Sequence, residues 1–182
     1  YIGDWSSDVC SSDLVYAQAF ATREAFEALL VEAESANRPV ILTSFSAGYG
    51  AVRAILGHSA QRVAGVVLID SLHAGYDAER KVVAADLEMF VAFAEKKPLV
   101  ITHSEVYPGT YASTTETADS LIARLGAQRK AVLRWGPGGM QQISEARHRN
   151  LRVLGFAGNS APDHVDQFHG YATWLGRVKF KR

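Results

Sequence analysis

Residues 40–56 read VILTSFSAGYGAVRAIL. The first six, Val40 to Phe45, are apolar and rich in β-branched side chains, which predicts a short buried strand. Ala47 to Gly57 carries apolar residues at helical spacing and stops at a glycine, which predicts a helix. The junction Ser44-Phe45-Ser46-Ala47-Gly48 places Ser46 in the turn between them. Small residues two before and two after it let strand and helix approach closely. A serine there is either the N-cap of the helix or a side chain exposed on a strained turn.

The same alternation continues outward. Phe20, Phe26, Leu29, Leu30 and Ala33 predict a helix that ends at Asn37-Arg38-Pro39. GVVLID (65–70), PLVITHS (98–104) and LRVLGFAG (151–158) read as three more buried strands. A long amphipathic helix is expected from about Asp77 to Lys96, and another from Thr114 or Thr115 to Gly126. A last one lies within DHVDQFHGYATWLGRV (163–178). Apolar strands separated by helices of crossover length predict an α/β fold, a mostly parallel sheet with helices on both faces. Ligands of such sheets bind at the carboxyl ends of the strands.

The chain has 182 residues, 48% hydrophobic and 21% charged, enough for one globular domain or a large part of one. Asp4, Asp8 and Asp13 aside, 19 basic side chains face 16 acidic ones, a balance of +3, and neither this nor the formal zero suggests nucleic-acid binding. No apolar run is long enough to span a membrane. The stretch DWSSDVCSSDL (4–14) has neither structural period and holds the single cysteine, Cys10. It resembles the translation, in one frame, of a widely used short-read sequencing adapter. Residues 1–14 are therefore read as a non-native adapter-derived segment, and 15–182 as a partial domain. With Cys10 set apart, the remainder offers no disulfide or thiolate metal site.

The strand–Ser46–helix junction resembles the nucleophile elbow of the α/β-hydrolase family, whose usual motif is Gly-x-Ser-x-Gly. Ser44 stands where the family has its first glycine. The resemblance covers about Phe20 to Arg182 and implies the C-terminal half of that fold, with the N-terminal strands missing. It also implies the chain order serine, acid, histidine. The histidine after the last strand is His164, with His169 as the alternative. The turn after PLVITHS, where the family most often has its acid, reads EVYPG, with Tyr107 at the usual aspartate position. A second placement, the end of the preceding strand, offers Asp70, with Glu105 as the alternative. The implied activity is a serine hydrolase cleaving carboxylic esters, less readily amides, through an acyl-enzyme on Ser46.

Ala47 N–H would be one oxyanion donor, and the other would come from a loop upstream. Without that loop and its strands, Val40–Phe45 becomes an apolar sheet edge, and the chain as given is expected to be poorly soluble and inactive. A small-molecule substrate is implied, with no cofactor and no metal. His73 and His103 also fall near the strand ends, and Tyr107, Tyr111 and Trp135 are candidate apolar walls, in loops 103–118 and 134–141. The competing reading is a non-catalytic protein of the same scaffold that binds a small molecule or a partner. No phosphate-loop or dinucleotide motif follows any strand.

Overall fold

The computed structural model describes residues 14–178, so the adapter-like segment lies outside the described residues except for Leu14. Six strands form one sheet: β1 (Val40–Phe45), β2 (Val63–Ile69), β3 (Leu99–His103), β4 (Arg129–Trp135), β5 (Gln141–His148) and β6 (Leu151–Phe156). Their spatial order is β1-β2-β3-β6-β5-β4. β1, β2, β3 and β6 run parallel, while β5 and β4 are added antiparallel. The expected α/β class with a mostly parallel sheet holds.

Helices cover both faces. One face carries α1 (Arg23–Glu32), α2 (Tyr49–Ser59), α3 (Glu88–Lys96) and α4 (Thr114–Arg124). Their Phe26, Ile55, Phe90 and Leu121 pack on Val66, Leu68, Ile101 and Val153 of the sheet. The residues alternating with these, Val67, Ile69, Val100, Leu154 and Phe156, face the other way. There they meet Trp174 of α6 (Tyr171–Leu175), which follows α5 (Ala161–His169). This two-sided burial explains why β2 and β3 read as continuous apolar runs.

Four expectations are corrected. The helix expected over 77–96 is only Glu88–Lys96 with a preceding 3-10 turn, Ala84–Leu87. The Asp77 carboxylate accepts the N–H groups of Glu79 and Lys81 at 2.9 and 2.8 Å, closing a turn that competes with helix formation. The cap of α4 is Ser113, whose hydroxyl accepts from Glu116 N, rather than Thr114 or Thr115. The last helix begins at Ala161 and is broken at Gly170, where a Cβ would come within 2.5 Å of the Trp174 ring. Finally, Arg134 to Gln141, expected as a loop near the strand ends, is one only over 136–140, beside the end of β6; its flanks belong to the unexpected β4–β5 hairpin that it closes. That hairpin stayed hidden because β4 is an edge strand with a largely exposed surface: Leu133 and Trp135 are each 77% exposed.

β1 is the other edge of the sheet and is only half-buried, unlike β2. Beside it lies a cavity of about 550 Å³ lined by Tyr16, Phe20, Leu42, Ser44, Ser46 and Val52, among others. Among the described residues no helix is long and apolar enough to cross a membrane.

Phe90 is fully buried and Leu133 is not. Phe90→Ala should cost about 3–5 kcal/mol of unfolding free energy, and Leu133→Ala less than about 0.5 kcal/mol, as measured by urea denaturation. Comparable losses at the two positions would contradict this core.

Candidate functional site

β1 and β2 run in parallel with Phe45 opposite Ile69, so the residues that follow them, Ser46 and Asp70, leave the sheet side by side. Both adopt the left-handed conformation that side chains resist, with φ of 52° at Ser46 and 43° at Asp70. Such backbone persists only where its surroundings hold it. At Ser46 the holding group is Ser71, whose hydroxyl donates to the Ser46 carbonyl at 2.7 Å and lies 2.7 Å from the Ser44 hydroxyl. Ser44 is thus part of the support. Gly48 lies close against it: a Cβ there would stand 3.2 Å from Ser44 Cβ, tighter than an ordinary contact. Ala47 lies in the 3-10 turn Ser46–Gly48 that leads into α2, where first-turn N–H groups have no intrahelical acceptor.

Asp70 is 1% exposed and its carboxylate is fully engaged. Oδ1 accepts from Ser104 N at 2.9 Å and from Thr114 Oγ1 at 2.5 Å. Oδ2 accepts from Ser104 Oγ at 2.5 Å and is bonded to His164 Nδ1 at 2.7 Å. Burial alone would raise the Asp70 pKa. The bond and charge of His164, with the hydroxyls of Ser104 and Thr114, outweigh it and hold the group at about 2. The carboxylate therefore stays ionised at neutral pH.

His164 lies in the first turn of α5. Ser160 begins that turn by donating from N and Oγ to Asp163 Oδ2 at 2.9 and 2.5 Å. Gly158, at φ 125°, lets the loop from β6 close over Asp163, whose side chain would meet a Cβ at 2.4 Å. Phe45 stacks on the imidazole with ring centroids 4.5 Å apart. The ring is thus held by Asp70 on one nitrogen and Phe45 on one face. The other nitrogen, Nε2, takes no part in the bond to Asp70. Among the described residues the Ser46 hydroxyl makes no hydrogen bond to it.

The alternatives are not brought to this cluster. Glu105 is exposed and engages Gly158, bonding its carbonyl through N at 2.8 Å and its N–H through the carboxylate at 3.4 Å. His169 is exposed and pairs with Asp166 at 3.4 Å. The proposed walls Tyr107 and Trp135 are surface residues, 60% and 77% exposed. Tyr111 packs its edge on His73, as does Tyr49, with centroids 5.3 and 5.2 Å away.

His73 and His103, which fall near the strand ends, are buried. Both His73 ring nitrogens lack a hydrogen-bond partner among the described residues. Burial, with His164 adding to it and Asp70 opposing, lowers its pKa to about 4. His103 Nε2 accepts from Arg129 Nη1 at 2.7 Å. That puts its proton on Nδ1, which faces the Ser104 carbonyl at 3.2 Å and Thr115 Oγ1 at 3.0 Å. Burial and the Arg129 charge push this ring to about 4 as well. No group of three or more His, Cys, Asp or Glu side chains among the described residues is placed to hold a metal ion.

Sequence reasoning missed Ser71 and Ser104, and read Thr114 only as a cap. The signal was a hydroxyl residue just after Asp70 and at the end of each of the next two segments. No family model matches the chain, and neither a curated protein nor a solved structure does.

An unfolded chain takes up protons on His73 and His103 near pH 6.5, whereas the folded protein resists until about 4. Stability therefore falls as pH drops from about 6.5 to 4. Asp70, with its folded value below 3.8, extends the fall toward about pH 2. His73→Phe should gain about 2 kcal/mol on wild type on going from pH 8 to pH 5, by urea denaturation at the two pH values. An unchanged difference would contradict a buried neutral His73.

Proposed function

We propose that this chain is part of an α/β-hydrolase domain and carries the nucleophile, base and acid of a serine hydrolase. The observation that carries the reading is the 2.7 Å bond between His164 Nδ1 and a buried, ionised Asp70, next to a serine on a left-handed turn. An acid fixed on Nδ1 orients the imidazole so that Nε2 can accept a proton, and it stabilises the imidazolium that results. Positive φ at Ser46 is the backbone signature of a serine lifted out of a strand-to-helix turn.

In this reading Ser46 Oγ attacks the carbonyl carbon of a carboxylic ester, or less readily an amide, while His164 Nε2 takes the hydroxyl proton. The negative charge collects on the former carbonyl oxygen, where Ala47 N–H donates to it. Collapse of the intermediate breaks the bond to the leaving oxygen, which takes the proton from His164, and an acyl-Ser46 remains. A water molecule then loses a proton to His164 and attacks the acyl carbon. The acid departs and Ser46 recovers its proton. A second oxyanion donor belongs to strands encoded upstream, which in this reading pair along the open edge of β1. Losing one such donor costs about 10² to 10³ in turnover, so the chain without them is expected to be nearly inactive.

One observation favours the competing reading, a non-catalytic protein that binds a small molecule: the Ser46 hydroxyl is not bonded to His164. Hydrogen bonds of this kind often tighten only once substrate is present, which keeps catalysis the better reading.

Covalent labelling by a fluorophosphonate, mapped by mass spectrometry on the chain joined to its natural upstream sequence, decides between them. Catalysis predicts an adduct on Ser46 that is lost in Ser46→Ala and forms about 10²- to 10⁴-fold more slowly in His164→Ala. A folded, extended chain that takes no label would be a binding protein.

A further inference from the structure

The pairing of β5 with β6 sets Arg147 directly opposite Arg152. Like charges in opposed cross-strand positions repel and weaken the pairing. The surroundings deepen the problem, because the charges of Arg177 and Arg134 add to that of Arg147 at Arg152, and the carboxylate of Glu145 acts against them. Glu145 is already shared between Arg134 Nη2 at 3.0 Å and Arg147 Nη2 at 3.5 Å. Arg152 is half-buried, and its Nε is sealed from solvent with no acceptor among the described residues. A buried guanidinium N–H without an acceptor is costly. Among the described residues, four guanidinium groups thus share the Glu145 carboxylate while one buried N–H has no acceptor, an arrangement that a bound anion would balance.

We propose that Arg147, Arg152 and Arg177 form an anion site that binds a phosphate group, free or as a monoester. Guanidinium forks present paired donors that match phosphate oxygens, and a dianion balances this excess of positive charge better than a single carboxylate does. The site lies near the start of β6, whereas the loop to His164 leaves from the end of that strand, so it is separate from the Asp70–His164 cluster. Arg177 also opens the basic C-terminal stretch RVKFKR, of which Lys179, Lys181 and Arg182 lie outside the described residues.

The test uses the full chain in chloride buffer at fixed ionic strength, with inorganic phosphate or glycerol phosphate replacing part of the chloride. Thermal unfolding and titration calorimetry are the readouts. Phosphate should raise Tm by about 2–4 °C, with saturation. Arg147→Gln should melt higher than wild type in chloride, since it relieves the repulsion, and should lose the phosphate-dependent rise. Arg177→Gln, outside the strands, should weaken binding about tenfold without lowering Tm in chloride. Tighter binding of glycerol phosphate than of inorganic phosphate would mark an organic phosphomonoester as the ligand, and the reverse would mark the free ion. A Tm that responds alike to phosphate and chloride, or an Arg147→Gln protein that melts lower and keeps the rise, would overturn the proposal.

Discussion

The Asp70 carboxylate lies inside the protein, and an ionised group there costs several kcal/mol unless its oxygens are bonded. All its bonds come from outside its own strand: the N–H and hydroxyl of Ser104 after β3, the Thr114 hydroxyl at the start of α4, and His164 in α5. Three separate segments are therefore fixed relative to β2 by one charge. Any shift of α4 or α5 would leave an acceptor unmet, which is more costly than losing a surface contact. The left-handed backbone of Asp70 turns its side chain into that position, and its own N–H is held by the Thr102 carbonyl at 3.0 Å.

A parallel arrangement operates one strand away. Ser71, next in sequence to Asp70, reaches across to the Ser46 carbonyl and to the Ser44 hydroxyl. The turn that carries Ser46 and the turn that carries Asp70 are thereby joined by hydrogen bonds. Phe45, the last residue of β1, stacks on the imidazole that Asp70 grips. Neither turn keeps its unusual conformation by itself; each depends on side chains supplied by the other or by His164.

Much of this was legible in the sequence, and for a physical reason. Strands buried on both faces must be apolar throughout, so β2, β3 and β6 stood out; β1 has the same apolar composition although it is a half-buried edge, and a serine or aspartate just past a parallel strand falls at the sheet's carboxyl edge. Asp70 and His164 were expected only through the resemblance of the Ser46 turn to the α/β-hydrolase elbow, and the structure brings the two side chains together. What could not be read was anything that depends on a sheet edge or on a competing turn. β4, RKAVLRW, buries too little to show a period. The apolar residues Val82 and Val83 suggested a helix that the Asp77 turn pre-empts. The role of Ser104 was invisible because its partner lies 34 residues earlier in the chain.

The β4–β5 hairpin nevertheless bears on the cluster it was not expected to touch. Arg129 of β4, with its Nε on Asp119 at 2.6 Å, donates to both His103 and Ser144. It can do so because Gly155 leaves the space: a Cβ there would stand 2.3 Å from Ser144 Oγ and 2.6 Å from the His103 ring. A permanent cation on Nε2 keeps the His103 ring neutral with its proton on Nδ1, facing the Ser104 carbonyl. Ser104 is the residue whose N–H and hydroxyl grip Asp70. A polar chain thus runs from Arg129 through His103 and Ser104 to Asp70 and His164. In a low-dielectric interior each bond of such a chain polarises the next. The antiparallel extension that looks like an appendage of the parallel sheet is therefore joined to Asp70 by this chain of hydrogen bonds, without any direct contact with it.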